Sequence, residues 1–295
     1  MSTVLESPHT AQPASLVPEA GSAAVRPRKL LRHRALSAVP AIATLILALS
    51  AWYAVSYLVL SPERRFLLPP PHQIVQVSLL DFDHLGPMLR ALWLTAQVSM
   101  VGLLVACVLG IGSAILMSRT KWLESALYPY AIILQTVPIL AIVPLIGLWF
   151  GYGFFSRTVV CVIIALFPMI SNTLFGLTST EKSMHDLFTM NAASSWHRLV
   201  KLQFPGALPS IFAGLRISSG LAVIGAVVGD MFFTQGQAGI GTLLTTYRAR
   251  LQTEDLYAAI GLSSLYGITV FLVVTVLTKA AIGSWHSSVR SNTAD

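Results

Sequence analysis

The chain has 295 residues, of which 55% are hydrophobic and 11% charged, against about 25% charged in an ordinary soluble domain. So much apolar sequence exceeds what a water-soluble core can absorb, which argues against a soluble enzyme or binding module and points to a bilayer as the solvent. The net charge of +7 lies mainly outside the apolar runs, with no alternation of bases and aromatics. It reads as attraction to anionic lipid and fixing of topology, with no nucleic-acid surface.

Residues 1–35 are rich in Ser, Ala, Pro and Arg and show no sustained apolar period, so a disordered cytoplasmic tail is expected. The run 36–60 carries no charge. It is too long for the apolar core of a signal peptide and no convincing cleavage site follows, so it reads as a retained first helix, with a cleaved signal as the alternative. An outer loop follows, with Pro69-Pro70-Pro71 and a short peripheral helix. The organisation expected is a tail at 1–35, a first transmembrane helix and outer loop at 36–84, a transmembrane domain at 85–285 and a second cytoplasmic tail at 286–295.

A helix crossing the hydrocarbon core needs about 20 apolar residues. Beyond the first run, the stretches 91–118, 125–156, 158–180, 206–229 and 256–278 meet that need. The fold class expected is therefore all-α, a polytopic membrane protein of about six spans. The stretch 125–156 is broken by Pro129, Pro138, Pro144 and Gly147, and reads either as one kinked helix or as a helix plus a re-entrant piece. An even number of spans puts both termini on one side. With that side cytoplasmic, twelve bases lie inside and six outside, with Arg216 within a span. The positive-inside rule then selects cytoplasmic termini.

Polar residues inside the spans are few. Thr95, Gln97 and Ser99 in the second span, Gln135 and Thr136 in the third, and Ser171, Asn172 and Thr173 in the fourth can all hydrogen-bond to neighbouring helices. Gln135 and Asn172 are the candidates for a translocation pathway, because amides in lipid need partners. Arg216 is a further pathway candidate by its charge, although snorkelling toward the interface is open to it. Asp230 follows fourteen residues later, about 21 Å along a continuous helix, so the two cannot pair within it. Asp230 is the fourth pathway candidate, expected near the outer mouth in a structural or gating role, capping the next short helix or pairing with Arg248 or Arg250. Cys107 and Cys161 lie in apolar runs without CxxC spacing, and the histidines form no ligand pair, so no metal site and no catalytic constellation is read.

The segment 181–216 is not a plain polar linker. Leu187, Met190, Trp196, Leu199, Val200, Leu202 and Phe204 make it amphipathic. A short helix, a turn near Ala193-Ser194-Ser195 and a second short helix ending at Pro205 are expected. Such an element either lies in the membrane interface or docks in a groove on a partner.

This segment resembles the permease subunits of ATP-binding-cassette (ABC) importers, whose cytoplasmic signature reads EAA-(x)3-G-(x)9-I-x-LP. Asp186 falls at the acid, Leu187 and Phe188 at the alanines, Ala192 at the glycine, Leu202 at the isoleucine and Phe204-Pro205 at the Leu-Pro. Only the proline is identical. The turn Ala193-Ser194-Ser195-Trp196, the run Ala207-Leu208-Pro209-Ser210-Ile211 and the run Gly214-Leu215-Arg216-Ile217 are closer matches, and Asp230 followed by Gly239-Ile240-Gly241 resembles the family's acid and Gly-Leu-Gly. The Ala192 departure removes a residue that takes positive φ cheaply, so the turn is either helical there or bends elsewhere.

The resemblance covers residues 85–285 and is to the branch importing nitrate, sulfonates, taurine and bicarbonate, which also holds permeases for thiamine pyrimidine precursors and riboflavin. It implies a type I ABC importer permease fold in a bacterial cytoplasmic (inner) membrane. It also implies a coupling loop at 181–205, with Asp186, Leu187, Ala192, Ser194, Trp196, Leu202, Phe204 and Pro205 meeting the ATPase. The implied partners are ABC ATPase subunits, an extracytoplasmic solute-binding protein and a second permease copy, as a homodimer. The chain has no GxxxxGK[ST] phosphate loop, so no cofactor is expected in it, ATP and Mg being held by the partner ATPase. A small polar, anionic solute is the expected cargo, a pyrimidine precursor or riboflavin the alternative. A secondary transporter or channel independent of any ATPase is the rival of another class.

Overall fold

The computed structural model describes residues 28–233 and 236–282, with residues 28–39 and Ala41 described by backbone alone. The expected tail at 286–295 and most of that at 1–35 lie outside the described residues. Residues 28–35, however, are helical and open the first helix. The reason is local: residues 28–39 contain neither Gly nor Pro and are rich in Arg, Leu and Ala, all good helix formers.

In chain order the α-helices are α1 (Arg28–Ala54), α2 (Pro71–Ile74), α3 (Phe82–Met117), α4 (Lys121–Thr136), α5 (Ile139–Phe150), α6 (Phe154–Thr178), α7 (Lys182–Met190), α8 (Ser195–Arg198), α9 (Phe204–Phe232), α10 (Ile240–Ala249) and α11 (Thr253–Ile282). No strand occurs among the described residues. This is what lipid demands, since a helix satisfies its own backbone N–H and C=O groups. Among the described residues, five helices are long and apolar enough to cross a membrane, and α4 with α5 makes a sixth if the bent pair counts as one span.

The chain divides into two units, residues 1–51 and 52–295. In the first, Ile42, Leu45, Ile46 and Leu47 are exposed along α1. In the second, the segment between Trp52 and Leu80 packs with the later helices, so the sequence-drawn boundary at 84 moves upstream. Trp52 donates from its indole N–H to the Pro69 carbonyl at 3.1 Å and its ring lies 5.5 Å from that of Tyr257. Ile74 shares a core with Met88, Ala91, Ile240, Ala258 and Ala259. His84, in the first turn of α3, lies 2.9 Å from Asp255, in the first turn of α11.

The centre of the second unit is α6 lying against α9, with α3 across both. Lipid tails are as apolar as the helices, so helix association rests on close packing and on hydrogen bonds between helices. Small residues make the approach possible. A Cβ on Gly214 would lie 2.9 Å from the Asn172 Cβ and 3.0 Å from the Pro168 carbonyl oxygen, and one on Gly225 would lie 3.0 Å from the Cys161 Cα. Hydroxyls stitch the same seam: Ser218 donates to the Ala165 carbonyl at 2.7 Å. Ser99 and Tyr266 join α3 to α11 at 2.6 Å.

The broken apolar stretch resolves into two helices meeting at 98°. Pro138 is the cause. It has no N–H to continue the ladder of α4, and Val137 before it is extended at φ −66° and ψ 129°. Pro129 and Pro144 stay inside their helices.

The second correction concerns Pro205. The helix expected to end there does not end: α8 runs through a π-helical turn at Leu199–Gln203 into α9, giving one apolar helix from Ser195 to Phe232. In that turn the Phe204 N–H bonds back to the Leu199 carbonyl, five residues away. The wider turn carries the ladder past a residue that has no N–H to give.

Replacing Gly214 by Leu is expected to overpack the α6–α9 seam by about 1–3 kcal/mol, whereas Gly112→Leu, where an added Cβ meets nothing within 4 Å, should leave stability near that of the wild type. Thermal unfolding of both variants in detergent checks the difference.

Candidate coupling knob and buried charge lock

The segment 181–205 forms a helical elbow whose two short helices have no buried residue. Asp186 and Leu187 are exposed on α7. The elbow turns at Ala192, which has φ +49°. Ala193 N–H bonds to the Phe188 carbonyl at 3.0 Å and Ala192 N–H to the Thr189 carbonyl at 3.0 Å. That pairing is a Schellman termination with its left-handed residue at 192. The turn therefore bends where the family signature has glycine, and alanine accepts the strain. Left-handed backbone costs a residue with a Cβ about 1–2 kcal/mol.

Ser194 caps α8 by accepting from the His197 N–H at 3.3 Å. Arg198 donates to the Thr189 hydroxyl at 3.0 Å, closing α8 onto α7. Leu199 is the anchor: it is buried with Ala114, Met117, Met169 and Ala207, and Phe204 packs against that cluster. Leu202 is half-buried and Pro205 exposed. Met184, Leu187, Met190, Trp196 and Val200 present apolar surface to the outside. A hollow of about 430 Å³ in the elbow is lined by Leu187, Phe188, Asn191, Ser194, His197 and Lys201. An apolar patch rimmed by polar and basic groups is suited to docking against another protein.

The four pathway candidates do not gather into one site: among the described residues, no hydrogen bond or ion pair joins any two of them. Gln135 is exposed in the last turn of α4, just before the 98° bend. Asn172 donates to the Pro168 carbonyl of its own helix at 2.8 Å and lies in the seam against Gly214. The guanidinium of Arg216 lies 5.6 Å from the centre of the Phe271 ring, and its buried Nε has no hydrogen-bond partner.

Asp230 is fully buried, and the cation it meets is neither Arg248 nor Arg250, both of which are exposed. Its partner is Arg157 in the first turn of α6, at 3.0 Å, itself 2% exposed. Arg157 also donates to the Phe233 carbonyl at 2.9 Å. The Thr95 hydroxyl donates to the other carboxylate oxygen and accepts from the Ile240 N–H at 2.9 Å. Thr242 donates to the Asp230 carbonyl at 2.8 Å. The carboxylate thus faces the N-terminal end of α10, where backbone donors favour negative charge. The geometry explains Gly239 and Gly241: a Cβ on the first would run into the carboxylate, and one on the second into the Val227 carbonyl. The cluster ties together α3, α6, α9 and the start of α10.

Arg157 stands between the apolar stretches 125–156 and 158–180, so the sequence alone counts it among the six outer bases. Its signal was available: a cation four residues into a helix that opens at Gly153, in a chain whose later span ends on an acid. Thr95 was singled out as a bond between helices, and Asp230 is its partner. Nothing in the spacing pointed to Arg198 or to Arg119, whose guanidinium lies 5.8 Å from the centre of the Trp196 ring.

The membrane-length helices, with an exposed apolar elbow at one end of α9 and a buried charge lock at the other, are those of a multi-pass membrane protein. The chain belongs to the family of binding-protein-dependent transport system inner membrane components, which matches residues 106–284. It is 35% identical over 217 residues to the formylaminopyrimidine transport permease protein of Halalkalibacterium halodurans, covering 72% of this chain and 83% of that protein. It is 32% identical to the riboflavin transport system permease protein of Chloroflexus aurantiacus, over 58% of this chain and 63% of that one. With the taurine transport system permease protein of Escherichia coli it shares 28% identity over 84% of this chain and 90% of that one.

Two outcomes are expected from the geometry. Ala192→Gly should stabilise the elbow by about 1 kcal/mol, read as a higher melting temperature. Asp230→Asn or Arg157→Gln should each cost about 3–5 kcal/mol by leaving a buried charge unpaired, while the double change Arg157→Met with Asp230→Leu should recover much of the loss, read by the yield and melting of the folded protein in detergent.

Proposed function

We propose that this protein is the permease subunit of an ATP-driven importer, and that the elbow at 181–205 is where a separate ABC ATPase docks. ATP and Mg are held by that ATPase, an extracytoplasmic solute-binding protein delivers the cargo, and a second copy of this chain completes the pathway. The membrane is the bacterial cytoplasmic membrane and both termini are cytoplasmic, a reading supported by the excess of bases on the elbow side.

The observation that carries the reading is the unbroken helix from Ser195 to Phe232. At about 1.5 Å per residue it reaches more than 50 Å. One end is the exposed elbow and the other carries Asp230 in its lock with Arg157. A push on the elbow is therefore delivered to the opposite face by a single rigid element. Alternating access needs contacts that differ between two states, and the charge lock and elbow are the places where this chain has contacts to exchange. Asp186, Leu187, Ala192, Ser194, Trp196, Leu202, Phe204 and Pro205 form or support the docking surface. Gln135, Asn172 and Arg216 are the polar groups available to the path, whereas Asp230 serves the lock.

For the cargo, Arg216 favours a small anion: it is a cation within a span, and no carboxylate pairs with it among the described residues. The second reading, a thiamine pyrimidine precursor or riboflavin, has its own support in the 35% and 32% identities to permeases named for such cargoes.

The test is purification of the native complex, followed by uptake in proteoliposomes. An ATPase should co-purify, and uptake should require ATP. Leu187→Asp, which puts a charge on the exposed apolar face, should weaken ATPase retention by about tenfold or more. Competition by alkanesulfonates, or by a pyrimidine or flavin, chooses between the two cargo readings. ATP-independent uptake with no ATPase retained would overturn the assignment in favour of a secondary transporter.

A further inference from the structure

We propose that Arg119 is a positioning residue of the coupling step, tying the elbow to the turn between α3 and α4 so that a push on the elbow moves α4 as well as α9. The inference rests on the docking assigned to the elbow above.

The elbow has few links to the rest of the chain. No residue of α7 or α8 is buried. Its attachments include the chain from α6, the continuation of α8 into α9, the buried side chain of Leu199, and Trp196 beneath Arg119. Leu199 leads into a core shared by Ala114 and Met117 of α3, Ala131 of α4, Met169 of α6 and Ala207 of α9. Trp196 adds a contact to the turn between α3 and α4 itself. Arg119 lies in the short turn between α3 and α4, and that turn is fixed on both sides. Ser118 N–H bonds to the Ala114 carbonyl at 2.9 Å, Arg119 N–H to the Leu116 carbonyl at 3.2 Å, and the Thr120 hydroxyl caps α4 by accepting from the Leu123 N–H at 3.2 Å.

A cation whose backbone is held this way presents its guanidinium from a defined origin. Arg119 forms no ion pair among the described residues, so the Trp196 ring is the group it faces. At 5.8 Å from the ring centre it is within reach of a cation–π attraction. Arg198, bonded to Thr189, makes α7 and α8 one body, so displacement of α7 carries Trp196 with it. Helix α4 is a fitting receiver. It packs on α3 and α6, and at Pro138 the chain turns through 98° into α5, so a displacement of α4 is not carried on along a continuous helix. Gln135 sits in the turn just before that corner. Motion received at Arg119 would therefore reorient a polar group already assigned to the path.

The experiment uses the complete importer, with its ATPase and binding protein, in proteoliposomes. Solute taken up per ATP hydrolysed is measured for the wild type, R119Q, R119K, W196F, W196L and the double variant R119Q with W196L. The expected result is a drop of about two- to fivefold in that ratio for R119Q and W196L, the size of one exposed cation–π contact. R119K and W196F, which preserve a cation and a ring, should keep most of it. The double variant should be no worse than the poorer single one, because both remove the same contact. A ratio unchanged in R119Q, or losses that multiply in the double variant, would overturn the proposal. Loss of ATPase from the R119Q complex would also overturn it, by making Arg119 a docking residue. Failure of the wild type to couple uptake to ATP would instead refute the importer assignment.

Discussion

The close approach of α6 and α9 is the constraint from which the rest of the structure follows. Lipid supplies no drive for one apolar helix to leave it for another, so the two must gain from contact itself. Glycines at 214 and 225 bring the backbones within van der Waals reach of Asn172, Pro168 and Cys161, and Ser218 adds a hydrogen bond across the seam. Because the seam is long, groups at its two ends are placed by it. At one end Arg157 of α6 meets Asp230 of α9. At the other, Leu199 drops into a core with Met169, Leu174 and Leu177, and this fixes where the elbow leaves the body.

The charge lock shows how a costly arrangement is made tolerable. Two charges out of water incur several kcal/mol each unless the remaining hydrogen-bonding capacity is filled. Here that capacity is filled in part: the carboxylate is paired with Arg157 and accepts from Thr95, and the guanidinium donates to the Phe233 carbonyl, while Arg157 Nε and Asp230 Oδ1 have no hydrogen-bond partner. Gly239 and Gly241 are needed because the loop into α10 crosses directly over the carboxylate. The enclosed pair thus adds one more tie among α3, α6, α9 and the start of α10, at the end of the seam away from the elbow. The same segment of chain that carries the acid also carries the elbow, so the two ends are mechanically one object.

Strain at the elbow has a different character. Ala192 holds a left-handed turn that glycine would hold at lower cost. The turn persists because the carbonyls of Phe188 and Thr189 are satisfied by it and because Arg198 clamps the second arm onto the first. The elbow is therefore held together by its own hydrogen bonds, and no residue of its two short helices is buried.

The sequence by itself determined the class of protein. Apolar runs longer than about 20 residues leave helices in a bilayer as their only solution, and the order and spacing from Asp186 to Pro205, with Gly239-Ile240-Gly241 after Asp230, were enough to point to the family. Those features are local, and local chemistry settles them. Only the tertiary structure decided the partners. Arg157 and Asp230 are 73 residues apart in the chain, and no periodicity reports which of several arginines an acid will meet across a seam. The helix through Pro205 and the corner at Pro138 contain the same residue type with opposite outcomes. A proline's missing N–H can be passed over by a π turn or can end the ladder, and the packing around it chooses between the two. The elbow's contact between Trp196 and Arg119 likewise joins residues far apart in the chain, which no local pattern reports.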